Sequence, residues 1–189
     1  MSKFMLVVIS MLVIVFTLVC IHGGLGKVQS QSDRSQDPPD TREGLQLSVE
    51  LKDTVVRLNS DTEIIVRLKN VGDKPIAIYK NLVWAEATSL SLFVEAIHGK
   101  LEDHAFVKEF PYVPPFPKGD FITIQPGMFI GNNQLISMEK IGIKEPGHYR
   151  IVVHYRSPIP EEFAPSGLEI WAMENGGLQT KPVDIKVIP

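Results

Sequence analysis

The chain has 189 residues, 19 of them Lys or Arg against 22 Asp or Glu, and a formal net charge of −3. That balance excludes a general affinity for nucleic acid or anionic lipid, both of which need a basic surface. The single cysteine, Cys20, excludes a disulfide within the chain, so whatever folds must rest on its apolar core.

Phe4 to Ile21 is an unbroken run of 18 residues behind Lys3, with only Ser10 and Thr17 polar. As a helix it would span roughly 27 Å, close to the ~30 Å hydrocarbon core of a bilayer. A basic start, an apolar run and then Gly23, Gly24 and Gly26 is the layout of an export segment. Three fates fit it. Gly24 and Gly26 suit cleavage before Lys27, the length suits an uncleaved membrane anchor, and Cys20 offers a lipidation site. Val19 immediately before Cys20 is a poor match to a lipobox. Each fate places the remainder of the chain in an extracytoplasmic compartment, secreted or periplasmic, or held at the membrane with the domain outside. Residues 1–26 are therefore expected to be a signal peptide or N-terminal anchor helix.

Residues 27–44 are rich in Ser, Gln, Asp and Pro and almost devoid of apolar side chains, which predicts a disordered polar linker. Residues 45–189 supply about 145 residues, enough for one core and too few for two.

From Leu45 the period changes to two. Leu45, Leu47, Val49 and Leu51 alternate with polar residues, as do Ile64, Val66 and Leu68, so each segment puts one face on a core. Asn70 to Pro75 reads as a turn leading into a strand at Ile76 to Tyr79. Ser89 to Ile97 is a further strand, His98-Gly99-Lys100 its hairpin turn, and Leu101 to Val107 the return. Phe121 to Gln125, Phe129 to Ser137, Gly147 to Tyr155 and Val183 to Ile188 complete the set. Only Glu161 to Met173 suggests a helical stripe. The pattern predicts an all-β fold, a single antiparallel sandwich of about seven to nine strands.

Glu145-Pro-Gly-His-Tyr149-Arg-Ile151 resembles the tyrosine corner of immunoglobulin-like domains. That likeness implies that Tyr149, Ile151, Val153 and Tyr155 face the core, with Ile151 where such domains carry a cysteine. With Leu68 to Pro75 and Ile124 to Gly127, it extends to the immunoglobulin-like modules of exported bacterial proteins. The chain is similar to the N-terminal module beside the catalytic domain of some deuterolysin-type, peptidyl-Lys metalloendopeptidases. It departs from those enzymes in having no His-Glu-x-x-His, so the likeness carries no peptidase activity with it.

Candidate chemistry is sparse. His148 and His154 are six residues apart on one strand, about 20 Å, too far to share a metal. His98 and His104 bracket the expected hairpin beside Glu102 and Asp103, where solvated side chains are commoner than a metal site. No Gly-x-Ser-x-Gly motif and no glycine-rich phosphate loop occurs. The expectation is a non-enzyme that needs no metal and no cofactor.

Two loops stand out. Phe110 to Gly119 holds three aromatics and four prolines, and Ser157 to Gly177 carries Phe163 and Trp171 among further prolines. Prolines pre-order a backbone and lower the entropy lost when aromatic rings bind. Tyr112, Phe116, Phe163 and Trp171 are the candidate contacts for a protein or an envelope polymer. The competing expectation is that these rings fold back to cover the sandwich ends. The function expected is a non-catalytic, exported binding module, with a loop-based inhibitor or accessory module of an exported peptidase as the alternative.

Overall fold

The computed structural model describes residues 40–84, 89–101 and 114–189. The apolar run with Cys20, most of the expected linker, the expected return strand over 102–107, His104 and Tyr112 lie outside the described residues.

Among the described residues eleven strands occur in the order β1 Thr41–Arg42, β2 Leu45–Leu51, β3 Val55–Arg57, β4 Asp61–Asn70, β5 Ile76–Tyr79, β6 Leu90–His98, β7 Phe121–Ile124, β8 Phe129–Ser137, β9 Gly147–Arg156, β10 Gly177–Gln179 and β11 Val183–Ile188. The helical content among the described residues is three 3₁₀ turns, Lys118–Asp120, Glu161–Phe163 and Met173–Asn175. None is long and apolar enough to cross a membrane.

One sheet has the order β1-β2-β4-β8. In the second, β9 is central, with β6 on one side and β10 and β11 on the other, and β3 joins β11 in parallel. A separate ribbon pairs β5 with β7. The alternation explains the layering. Leu45, Leu47, Leu51, Ile64, Val66 and Leu68 point inward from the first sheet, and Leu90, Leu92, Tyr149, Ile151, Val153, Ile185 and Val187 from the second. The two inner faces share one buried cluster, so the protein is an all-β sandwich of immunoglobulin-like type.

Several expectations need correction. The strand count exceeds seven to nine because β1, β3 and β10 are too short to show a period. The last strand lies at Val183–Ile188 as expected, but the unexpected β10 precedes it on the same side of β9; between the two, the Thr180 hydroxyl accepts a bond from Val153 N at 3.0 Å, and Pro182 has no N–H to give to a ladder. The expected linker ends early, because Glu43 and Gly44 adopt positive φ (45° and 81°) and fold β1 back onto β2. The expected hairpin at His98-Gly99-Lys100 depends on the return strand that lies outside the described residues; among the described residues β6 pairs with β9, and Leu101 bridges to Ile143. Glu161 to Met173 holds a single 3₁₀ turn, since Pro165 interrupts any continuation.

Candidate functional site: the proline and aromatic loops

The β5–β7 ribbon is the base on which the two unusual loops meet. Tyr79 and Phe121 lie opposite each other in its register, with rings 6.0 Å apart at 77°. Phe116 packs edge-on to Tyr79 at 6.3 Å, and Phe163 approaches Phe116 at 6.5 Å. Edge-to-face rings at these separations are favourable because the positive ring edge meets the negative face. Beneath them Ala77, Phe116, Ile159, Ile170 and Ala172 form a small second core, distinct from the core between the sheets.

The loop from Ser157 to Gly177 is held by its own backbone. Ile170 bridges to Ala77 in parallel, and Trp171 N donates to Ala77 O at 2.7 Å, so this stretch lies along β5. Met173 N donates to Ile159 O at 2.9 Å and closes the loop at its base. Phe163 N donates to Pro160 O at 3.1 Å, Ala164 N to Glu161 O at 2.9 Å, and Glu161 N to the Glu174 carboxylate at 3.0 Å. Phe163 is thereby presented from a fixed turn, flanked by the exposed carboxylates of Glu161 and Glu162.

The structure separates the candidate contacts. Phe163 is 40% exposed, whereas Phe116 is 9% and Trp171 is 4% exposed. Phe116 is enclosed by the second core, and the bond to Ala77 draws Trp171 into the main one. Neither ring is available to a partner in this structure, which corrects their assignment as contacts. Trp171 Nε1 is buried with no hydrogen-bond partner among the described residues. Trp84, by contrast, donates from Nε1 to Asn132 Oδ1 at 2.9 Å, and Asn132 donates on to Leu82 O at 2.8 Å.

Tyr149, Ile151 and Val153 are fully buried in the main core. Burial is the main influence on the Tyr149 phenol and pushes its pKa above the ordinary 10.0; a main-chain hydrogen bond at Lys100 acts in the opposite sense, and the Glu145 charge adds to the rise. His98 and His148 face each other across β6 and β9 with ring centroids 6.3 Å apart. No three His, Cys, Asp or Glu among the described residues are grouped to hold a metal ion.

Sequence reasoning missed Asn70 and the partners Tyr79 and Phe121. Asn70 is completely buried; its side chain donates to Lys74 O at 2.7 Å and Ile124 O at 2.8 Å and accepts from Gly72 N at 2.9 Å. The Asn-x-Gly turn signal marked the position without revealing that its side chain also reaches β7.

No known family model matches the chain, and neither does any curated protein. Among solved structures it is similar to a β-glucosidase from Erythrobacter marinus at 11% identity and TM-score 0.39, over 76% of this chain and 15% of that one. It is similar to the CARDB domain of a Pyrococcus furiosus protein, in complex with di-metal ions, at 15% identity and TM-score 0.37, over 78% of this chain and 96% of that one. A β-glucosidase from Kluyveromyces marxianus is similar at 17% identity and TM-score 0.30, over 76% and 15% respectively. The chain thus spans only 15% of either β-glucosidase. Likenesses at these TM-scores say nothing of activity or ligand.

Proposed function

We propose that this chain is a non-catalytic interaction module of the cell envelope, exported by its N-terminal apolar run, that engages a protein or envelope polymer through the Phe163 turn. The observation that supports this reading is an exposed ring held on a pre-ordered aromatic base: Phe163 stands over Phe116, and its turn is fixed by backbone bonds on both sides. An apolar anchor already in its bound geometry loses little entropy on docking. Glu161 and Glu162 beside it favour a partner that offers an apolar group next to a basic one. No cofactor enters this reading, and the part of accessory module to an exported peptidase is one form of it.

The test is capture from envelope extract with the full detergent-solubilised chain, compared with Phe163→Ala. The reading expects a partner that is retained by the parent chain and lost with Phe163→Ala, while the melting temperature of the variant stays within a few degrees. Equal capture by both chains, or none by either, would sink it. If the partner is a peptidase, its turnover in the presence of the chain separates inhibition from accessory binding.

A further inference from the structure

β8 ends the first sheet among the described residues, and its inward side chains are poorly covered apart from Ile136, which is 3% exposed. Ile130 and Asn132 are half-buried and Gln134 is exposed, although their β4 partners Leu68, Val66 and Ile64 are all at 0%. The ladder fixes the direction of its backbone groups. Lys52 N bonds to Glu63 O, so odd-numbered residues of β4 turn their N–H and C=O towards β2; Asn70 N bonds to Met128 O, so even-numbered ones turn towards β8. Bonded and non-bonded pairs alternate in an antiparallel ladder. The N–H and C=O groups of Phe129, Gly131, Asn133, Leu135 and Ser137 therefore point away from β4.

Such an edge is ordinarily blunted by charge, proline or a bulge. β8 reads Phe-Ile-Gly-Asn-Asn-Gln-Leu-Ile-Ser, with no charged residue and no proline, and its nine-residue register with β4 is unbroken. Its outer face carries Phe129 at 57% and Leu135 at 68% exposure, and Met128 and Val71 extend the apolar surface at the Phe129 end.

We infer that β8 is a self-association edge that pairs antiparallel with β8 of a second copy of this chain across a twofold axis at Asn132. The spacing selects this occupant and this register. Phe129 and Leu135 sit three residues either side of Asn132, so the twofold lays Phe129 of each copy beside Leu135 of the other. Gly131 and Asn133 pair in the same way, and all four positions turn free backbone groups to the seam, giving roughly eight main-chain hydrogen bonds. The lack of charge removes the repulsion that a strand facing its own copy would otherwise meet. The two four-stranded sheets would become one continuous sheet of eight.

The test is sedimentation velocity of the full chain in density-matched detergent over a micromolar concentration series. A reversible monomer–dimer equilibrium is expected, as small edge-to-edge interfaces give. Leu135→Lys should raise the dissociation constant at least about tenfold, because it sets two charges into the seam. Asn133→Pro should do the same by removing a seam N–H, while the β4 ladder, which that N–H does not face, is kept. Ile97→Lys, on the second sheet, should leave the equilibrium unchanged. A parent chain that stays monomeric, or a dimer that survives both β8 variants when their circular dichroism shows them folded, overturns the inference; the second result would also be seen if the N-terminal apolar run alone drove association.

Discussion

The Tyr149 hydroxyl donates to the main-chain oxygen of Glu145 at 2.7 Å, tying the start of β9 to the turn that leads into it. The ring is fully buried, so the bond satisfies a phenol and a carbonyl where other partners are scarce. It is the geometry of a tyrosine corner, the motif legible in Glu145 to Ile151. Tyr149→Phe keeps the packing and leaves the Glu145 oxygen without this donor. A loss of about 1–2 kcal/mol is expected. Urea unfolding with an unchanged m-value would register it as a lower midpoint; an unmoved midpoint would mean that the hydroxyl adds nothing.

The same phenol sets an alkaline limit. Its pKa is raised above 10.0 by burial, so below pH 10 both folded and unfolded chains hold the proton and the contribution of this group is fully present and independent of pH. As pH climbs past 10.0 the unfolded chain gives up the proton first, and the contribution is lost through the higher folded value. The stability advantage of the parent over Tyr149→Phe should therefore shrink above pH 10. A gap that stays constant from pH 8 to 11 contradicts the shift.

Tyr149 also dictates what stands beside it. A Cβ on Gly99, whose φ is +125°, would collide with the Tyr149 hydroxyl, and a Cβ on Gly147 would collide with His98 O. In both cases the neighbour is held by the corner or by the backbone of β6, so it cannot yield cheaply. Gly99→Ala and Gly147→Ala are each expected to cost on the order of 2 kcal/mol or more. Gly119→Ala, with nothing within 4 Å of its Cβ, is the control and should be near neutral. Thermal melts of the three variants decide it.

What was legible in the chain was whatever a single packed face imposes on its neighbours. β2, β4 and β9 alternate because one side meets the core, and β8, β5 and β11 are bounded by Gly and Pro that stop the ladder. The β5–β7 pairing left no local trace: Ile76 and Ile124 are partners 48 residues apart, and neither segment names the other. The fate of the loop rings was hidden for the same reason. Whether Trp171 displays or buries its indole depends on a backbone bond to Ala77, and composition carries no sign of that bond.

That distinction yields a measurable contrast. Phe116 and Trp171 fill the two cores, so truncation to Ala should cost about 3–5 kcal/mol each. Phe163 is 40% exposed and lies outside both buried clusters, and Phe163→Ala should cost less than about 1 kcal/mol. Chemical denaturation of the three variants checks this directly. A large loss at Phe163 would make that ring a structural element and remove the exposed anchor from the functional reading.

Asn70 makes the sharpest demand on a single side chain. Its amide joins the turn after β4, through Lys74 O and Gly72 N, to the end of β7, through Ile124 O. Its main chain joins the turn before β8, through Met128 O and Gly127 N. Asn70→Ala would take this donor from the Lys74 and Ile124 carbonyls and leave Gly72 N with Gly44 O alone at 3.2 Å, in a site where Asn70 itself is at 0% exposure. Leaving buried polar groups unpaired costs about 1–3 kcal/mol each before water intrudes, so a total near 3 kcal/mol is expected. Asn70→Asp separates packing from donation: it keeps the volume and the acceptor for Gly72 N, yet turns a carboxylate towards the oxygens of Lys74 and Ile124. It should therefore be at least as damaging as Ala at neutral pH and should recover in acid as the carboxyl gains a proton to donate. Unfolding curves at pH 7 and pH 4 would show that recovery, and its absence would mean that the amide donor is not what holds these turns together.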